Sequence, residues 1–375
     1  MNGEAFKGSD SGSSVRLGRR QQRQGGRKFL SLNVQNIGMV MLALSGSIVH
    51  LQEETIDDLL RSVLTQIREN GQHIEPGKGA ASELPGVLLT LTNPRARLSR
   101  TETRGKPFSC LGELCWYLSR SGDLTFIKYY FPTYDEYSEG DPVFGAYGQR
   151  MFDANGIDQI ANVIRTLRAR PDSRRGVVQI FEASDLAVPH KEVPCTTFLQ
   201  FLVRDKKLHM IASMRSNDVH SGLVHDLFSF TMIQEIVARS VGVDLGWYKH
   251  VVGSLHLYDD DADLANDFLK EGWQTTTSMP EMPPGDPWPA IKILLTAENE
   301  IRSTGALLGV DLSELDPYWA DLIRLLLVLS HNKRCDRKAL ALVRKEICSE
   351  VYHQCVDSLA LRQKRQRGVS PVIAP

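Results

Sequence analysis

The chain has 375 residues, 42% apolar and 24% charged, a composition that excludes a wholly disordered or membrane-embedded protein and suits one large domain with appendages or two modest domains. A formal net charge of −1 provides no global field toward nucleic acid or membrane, so any basic patch is local. Six cysteines, at 110, 115, 195, 335, 348 and 355, form no C-x-x-C pair and follow no secretory signal, so they read as reduced thiols of a cytoplasmic protein, with no metal site expected.

Residues 1–28 have the composition of a disordered basic tail, with Arg19, Arg20 and Arg23 close together. Such a tail is either simply solvated or makes weak nucleic-acid contact. The apolar stretch from Gly38 to Val49 is too short to span a bilayer, so no membrane association is expected. Residues 29–52 are apolar and β-branched, as in a strand or two. Ile56, Leu59, Leu60, Val63, Leu64 and Ile67 recur at helical spacing over 54–69, with Thr55 as a cap and Gly71 as a stop. A strand over 86–92 ends at Asn93-Pro94, and a short helix over 110–120 carries Glu113 and Trp116. An amphipathic helix over 157–170 leads into strands at 176–181, 197–204 and 207–214, the last two joined by Asp205-Lys206. A long apolar helix over 222–241 stops before Gly242, and 248–258 returns to strand.

Beyond Asp286-Pro287-Trp288-Pro289 the pattern becomes helical, over 290–308, 316–331 and 336–362. Strands mixed with helices through hairpin-like connections imply an α+β fold. The expected organisation is a basic tail (1–28), a catalytic domain (29–285), a helical C-terminal appendage (290–362) and a basic, then Pro-rich tail (363–375).

Cys195 follows Pro194 at the start of an apolar strand, where a cysteine is ordinarily a buried thiol. Its surroundings suggest more. Asp172-Ser173-Arg174-Arg175 lies upstream and Arg215-Ser216-Asn217-Asp218 downstream. Arginines near a thiol lower its pKa and bind a phosphate dianion through bidentate hydrogen bonds, although Arg-Arg alone is as readily solvated surface charge.

The order D-S-R-R, Pro194-Cys195, Gln200-Phe201, R-S-N-D, Gly222 and Gly253-Ser-Leu-His256-Leu-Tyr258 resembles the thymidylate synthase family. So do Glu113-Leu-Cys-Trp116-Tyr-Leu, Tyr134-Asp135-Glu136-Tyr137 and Gly145-Ala-Tyr147-Gly148, and the likeness runs over roughly 54–275. The resemblance implies a mixed sheet packed with helices. It implies that Cys195 adds to carbon 6 of a pyrimidine nucleotide, making carbon 5 nucleophilic. By the same carry-over Arg215 and Ser216 hold the 5′-phosphate, and Arg174 and Arg175 reach it from the partner subunit of a homodimer. Asp218 lies near pyrimidine and pterin, Glu113 organises proton transfer, Tyr147 assists proton removal at carbon 5, and His256 and Tyr258 contact the sugar. The implied one-carbon donor is 5,10-methylenetetrahydrofolate.

The departures from that family bear on substrate and product. Thr196 replaces the histidine after the cysteine. Leu223-Val224-His225-Asp226 replaces L-P-F-N, which puts Asp226 at the position of the base-reading asparagine. An amide complements the donor and acceptor of uracil, whereas a protonated carboxyl complements cytosine. Asp226 also resembles the corresponding residue of the deoxycytidylate and cytidylate hydroxymethylases; the plainer reading is an acid capping the helix that starts nearby. Tyr134 and Tyr137 replace two tryptophans, a more polar wall that admits water and favours a hydroxymethyl product over methyl. The arginine phosphate loop has no counterpart, with Lys78 of Glu75-Pro76-Gly77-Lys78-Gly79 as the local cation, and Ser254 replaces an aspartate. The favoured reading is C5 hydroxymethylation or methylation of dCMP or CMP. The alternatives are a divergent thymidylate synthase acting on dUMP and a non-catalytic nucleotide-binding protein.

Overall fold

The computed structural model describes residues 49–99, 107–273 and 275–359. The basic tail, most of the apolar segment before residue 49 and the C-terminal tail lie outside the described residues.

Strand β1 (Val49–Glu53) runs into helix α1 (Ile56–Asn70), whose first turn is closed by the Thr55 hydroxyl accepting from Asp58 N at 3.1 Å. The six apolar residues read at helical spacing are the buried stripe of α1. Short β2 (Gln72–Ile74) and long β3 (Ala81–Leu91) follow, then α2 (Pro107–Leu118), α3 (Leu124–Tyr130), α4 (Tyr147–Phe152) and α5 (Gln159–Ala169). Next come β4 (Val177–Gln179), β5 (Thr196–Arg204), β6 (Lys207–Asp218), α6 (Gly222–Val241), β7 (Asp244–Tyr258) and α7 (Ala262–Lys270). Helices α8 (Trp288–Thr304), α9 (Pro317–Lys333) and α10 (Arg337–Glu346) complete the order.

The strands form one mixed seven-stranded sheet in the order β1-β3-β7-β6-β5-β4, with β2 also on β3. β1 pairs with β3, and β6 with β7, in parallel; the other neighbours are antiparallel. This is the α+β architecture expected. Helix α6 is buried on almost every face, between β6 on one side and α2 and α5 on the other. Each large apolar side chain it buries, such as Leu227, Phe230 and Ile233, is worth about 1.5–3 kcal/mol. Among the described residues no helix is long and apolar enough to cross a membrane.

The C-terminal helices share polar contacts with the earlier elements: Tyr130 donates to Glu298 at 2.8 Å, and Trp288 Nε1 to Ser240 Oγ at 3.0 Å. The continuous helix expected over 336–362 is interrupted. α10 ends at Glu346, and helical backbone resumes after a short 3-10 turn at Glu350–Tyr352. Buried Asp321 of α9 causes the break, accepting from Cys348 N at 3.0 Å and Ser349 N at 2.8 Å, which fixes those amides outside any helical ladder.

Candidate active site

Strand β6 assembles the site because its two neighbours run in opposite directions. On the β5 side Thr196 pairs with Met214, and Arg215 N donates to Cys195 O at 2.8 Å. On the β7 side the parallel register sets Ser216 beside Ser254 and Asp218 beside His256. Three motifs far apart in sequence thus meet at one end of the sheet.

Cys195 is half-buried at the start of β5. The Tyr147 hydroxyl oxygen accepts from Cys195 N at 3.1 Å and Thr196 N at 3.0 Å. Those bonds occupy its lone pairs and leave its O–H as a donor. Gly145, at φ +69°, allows this approach, since a Cβ there would stand 2.7 Å from the Pro194 ring. Thr196 turns its hydroxyl inward to the Met214 sulfur at 2.9 Å.

Arg215 acts on the Cys195 thiol in the direction the sequence implies, but burial outweighs it. Burial pushes the thiol up to about 11. Arg215 and Lys78 draw it down, while the Glu192 and Asp226 carboxylates oppose them. Arg174 and Arg175 are exposed ahead of β4 and are not among the charges acting most strongly on the thiol.

Arg215 holds the segment before the cysteine, donating to Pro194 O at 3.1 Å and Val193 O at 2.8 Å. Its guanidinium lies 3.8 Å from Glu192, whose other carboxylate oxygen meets the Lys78 ammonium. Lys78, which also lies 4.6 Å from the Tyr137 ring, therefore does reach this end of the sheet. Nothing in the sequence around Glu192 marks it as a site residue. An acidic residue three positions before a cysteine signals nothing by itself; its meaning arises from the two cations the fold brings to it.

A second group lies across α2 and α6. Glu113 accepts from the Tyr117 hydroxyl at 2.8 Å and lies 3.0 Å from His225 Nδ1. Burial disfavours a charged His225, but Cys110 and Glu113 outweigh it and hold its pKa up at about 10. One helical position on, Asp226 is half-buried and accepts from Asn217 Nδ2 at 2.7 Å. Burial and then Glu113 raise its carboxyl to about 7, against the lowering effects of Asn217 and His225. Asp226 is therefore no helix cap. Asp218 closes the turn into α6, accepting from His220 N and Ser221 N at 2.8 Å each.

The remaining expected residues lie around these groups. His256 is buried, with Tyr258 edge-on at 4.9 Å. Ser254 donates to Glu83 across the β3–β7 pair. Tyr134 packs edge-on against Trp116 at 5.7 Å, and burial raises its pKa, with Glu113, Glu192 and Cys195 adding to the effect. Tyr137, by contrast, is exposed. Among the described residues no group of His, Cys, Asp and Glu is arranged to hold a metal ion.

The thymidylate synthase family profile matches residues 85–283, which contain every motif named above except the Lys78 loop. A deoxyuridylate hydroxymethyltransferase of Bacillus phage SP01 is 29% identical over 229 residues, covering 56% of this chain and 60% of that protein. A deoxyuridylate hydroxymethyltransferase of Delftia phage PhiW-14 is 30% identical over 222 residues, covering 55% and 61%. The chain thus spans about 60% of the length of the curated relatives it matches. With more than half of its length matched by the family profile, the chain belongs to the thymidylate synthase family.

Proposed function

We propose that this protein transfers a one-carbon unit from 5,10-methylenetetrahydrofolate to carbon 5 of a pyrimidine nucleoside monophosphate, that the base is cytosine, and that the product is hydroxymethylated. The observation carrying the base assignment is Asp226. Its carboxyl is raised to about 7, so a neutral form is populated near neutral pH, able to donate to cytosine N3 and accept from the exocyclic amine. A carboxylate facing O4 of uracil would be repelled.

In this reading Cys195 adds to carbon 6 as its thiolate, the π electrons of the 5,6 double bond pass to carbon 5, and the sulfur leaves as a thiolate when the 5,6 double bond re-forms. The folate supplies the carbon that carbon 5 attacks. Half-buried Tyr134, backed by Trp116 and close to the charges of the Cys195 site, offers a flat aromatic face suited to a pterin ring. Tyr147, whose oxygen is pinned by the Cys195 and Thr196 amides, assists removal of the carbon 5 proton, and Glu113 organises proton transfer at the base. Arg215 and Ser216 bind the 5′-phosphate, with Lys78 as a third contact. Arg174 and Arg175, exposed in one subunit, serve the phosphate site of a partner in a homodimer. Asp218 faces base and pterin, and His256 with Tyr258 hold the sugar. Tyrosines at 134 and 137 make a wall that tolerates water, which supports hydroxymethyl transfer, as do the names of the two phage relatives.

Those names also favour a second reading, in which the base is uracil and Asp226 acts as an ionised acceptor from N3–H. Incubation with methylenetetrahydrofolate and a mixture of CMP, dCMP, UMP and dUMP, followed by mass analysis, separates the two. A hydroxymethyl gain on a cytosine nucleotide is the expected result. Product from dUMP alone would establish the second reading, and product from none of the four would refute both.

A further inference from the structure

Behind Asp226 lies a line of polar side chains that the proposed chemistry does not use. Asn217 Nδ2 donates to Asp226 Oδ2 at 2.7 Å, Asn217 Oδ1 lies 3.0 Å from His250 Nε2, and His250 Nδ1 lies 2.7 Å from the Tyr248 hydroxyl. Tyr248 and His250 are fully buried, and Asn217 nearly so. β6 and β7 carry these residues side by side, with His250 paired to Ala212 and Asn217 to Leu255. Gly222 leaves room for the amide, since a Cβ there would stand 3.0 Å from Asn217 Nδ2.

The line has one direction. Among the described residues the Tyr248 hydroxyl has no partner other than His250. If Tyr248 donates to Nδ1, then Nε2–H donates to Asn217 Oδ1, and one N–H of Asn217 Nδ2 donates to Asp226; the hydroxyl and imidazole hydrogens of the line are then both used. If the line ran the other way, the Tyr248 O–H would be buried without an acceptor, which is the costlier arrangement. A neutral His250 is required, and burial lowers its pKa to about 3.

We infer that the line Tyr248–His250–Asn217 positions the proton of Asp226, keeping Oδ2 an acceptor and leaving Oδ1 to donate. Asp226 Oδ1 has no partner among the described residues. An oxygen has two lone pairs, so Oδ2 can accept from Asn217 and from a cytosine amine together. Uracil would need the opposite arrangement, an acceptor at Oδ1 and a donor at Oδ2. Tyr248, His250 and Asn217 are therefore positioning residues that discriminate cytosine from uracil without touching the base. The inference rests on the cytosine reading of Asp226 and adds the cause of its polarity.

The test measures dissociation constants of dCMP and dUMP for the full chain and for two variants, by calorimetry. Tyr248→Phe removes one hydroxyl from a buried ring, lifts the constraint on direction and allows the Asn217 amide to turn. The ratio of dUMP to dCMP dissociation constants should fall about tenfold, mainly through tighter dUMP binding, an effect that general loosening of the fold would not produce. Asn217→Leu should narrow it further; if that variant fails to fold, Tyr248→Phe decides alone. A cytosine preference left intact in Tyr248→Phe overturns the inference and leaves the cytosine reading standing. A unaltered chain that prefers dUMP, or binds neither nucleotide, overturns both.

Discussion

The Glu192 carboxylate and the Arg215 guanidinium stand 3.8 Å apart, with the second carboxylate oxygen on Lys78. Glu192 therefore lies between the two cations proposed to meet the substrate phosphate. It also raises the Cys195 thiol, which Arg215 and Lys78 would otherwise draw down. Replacing Glu192 with Gln removes a negative charge near the thiol and releases both cations. The pH profile of Cys195 alkylation should move about 1 pH unit lower, and inorganic phosphate should bind more tightly. Kinetics of iodoacetamide labelling, with Cys195→Ser as the blank, provide the check. An unchanged profile would mean that Glu192 does not govern the thiol.

Asp226→Asn places an amide at the position proposed to read the base. An amide offers a donor and an acceptor at once, matching uracil O4 and N3–H. Turnover of cytosine nucleotides should fall by roughly a hundredfold or more relative to uracil nucleotides, because a mismatched buried polar pair is costly. Competition between dCMP and dUMP in one reaction reads the ratio directly, and an unaltered ratio would contradict the assignment of Asp226.

The Glu113–His225 pair makes stability depend on pH in a stated direction. Burial opposes the charged imidazole, yet Cys110 and Glu113 raise the folded value to about 10, against about 6.5 for an ordinary histidine. A raised value means that the stabilisation is complete below about 6.5 and is lost as pH rises through about 10. His225→Gln should therefore cost about 3 kcal/mol at pH 6 and markedly less above pH 10. Urea denaturation of both proteins at the two pH values decides it, and an equal loss at both would place the histidine neutral throughout.

Much of this architecture was legible from local pattern. The stripe of α1, the apolar run of α6 and the β5–β6 hairpin at Asp205-Lys206 all coincide with elements of the structure, because each is specified by neighbours in sequence. The motifs that carry Cys195, Arg215, Ser216, Asp218 and His256 are visible in sequence, though only the parallel β6–β7 register reveals that Asp218 lies beside His256. What escaped was set by long-range pairing. Asn217 and His250 look like ordinary polar residues on strands, and only burial and a distance of 3.0 Å join them. The raised thiol pKa has a related cause: the arginines are visible in sequence, but the burial and the acids that oppose them are not.

The break after α10 shows the same logic in the C-terminal helices and yields a test away from the site. Asp321 is buried on α9 and binds three donors: Cys348 N, Ser349 N and Arg324, the last at 2.9 Å. Helical propensity alone would carry the chain through residues 347–349, but the carboxylate holds those amides at the turn. Asp321→Ala would leave two backbone N–H groups and a partly buried guanidinium without that partner, at a cost of about 3–5 kcal/mol. Asp321→Asn retains one oxygen acceptor and should lose less. Hydrogen exchange followed by mass spectrometry should show faster exchange at residues 348–349 in the alanine variant, with smaller change in α6, which is buried on almost every face. If the alanine variant matched the parent in both denaturation and exchange, the turn would be set by the packing of Tyr352 and Val356, both fully buried, rather than by Asp321.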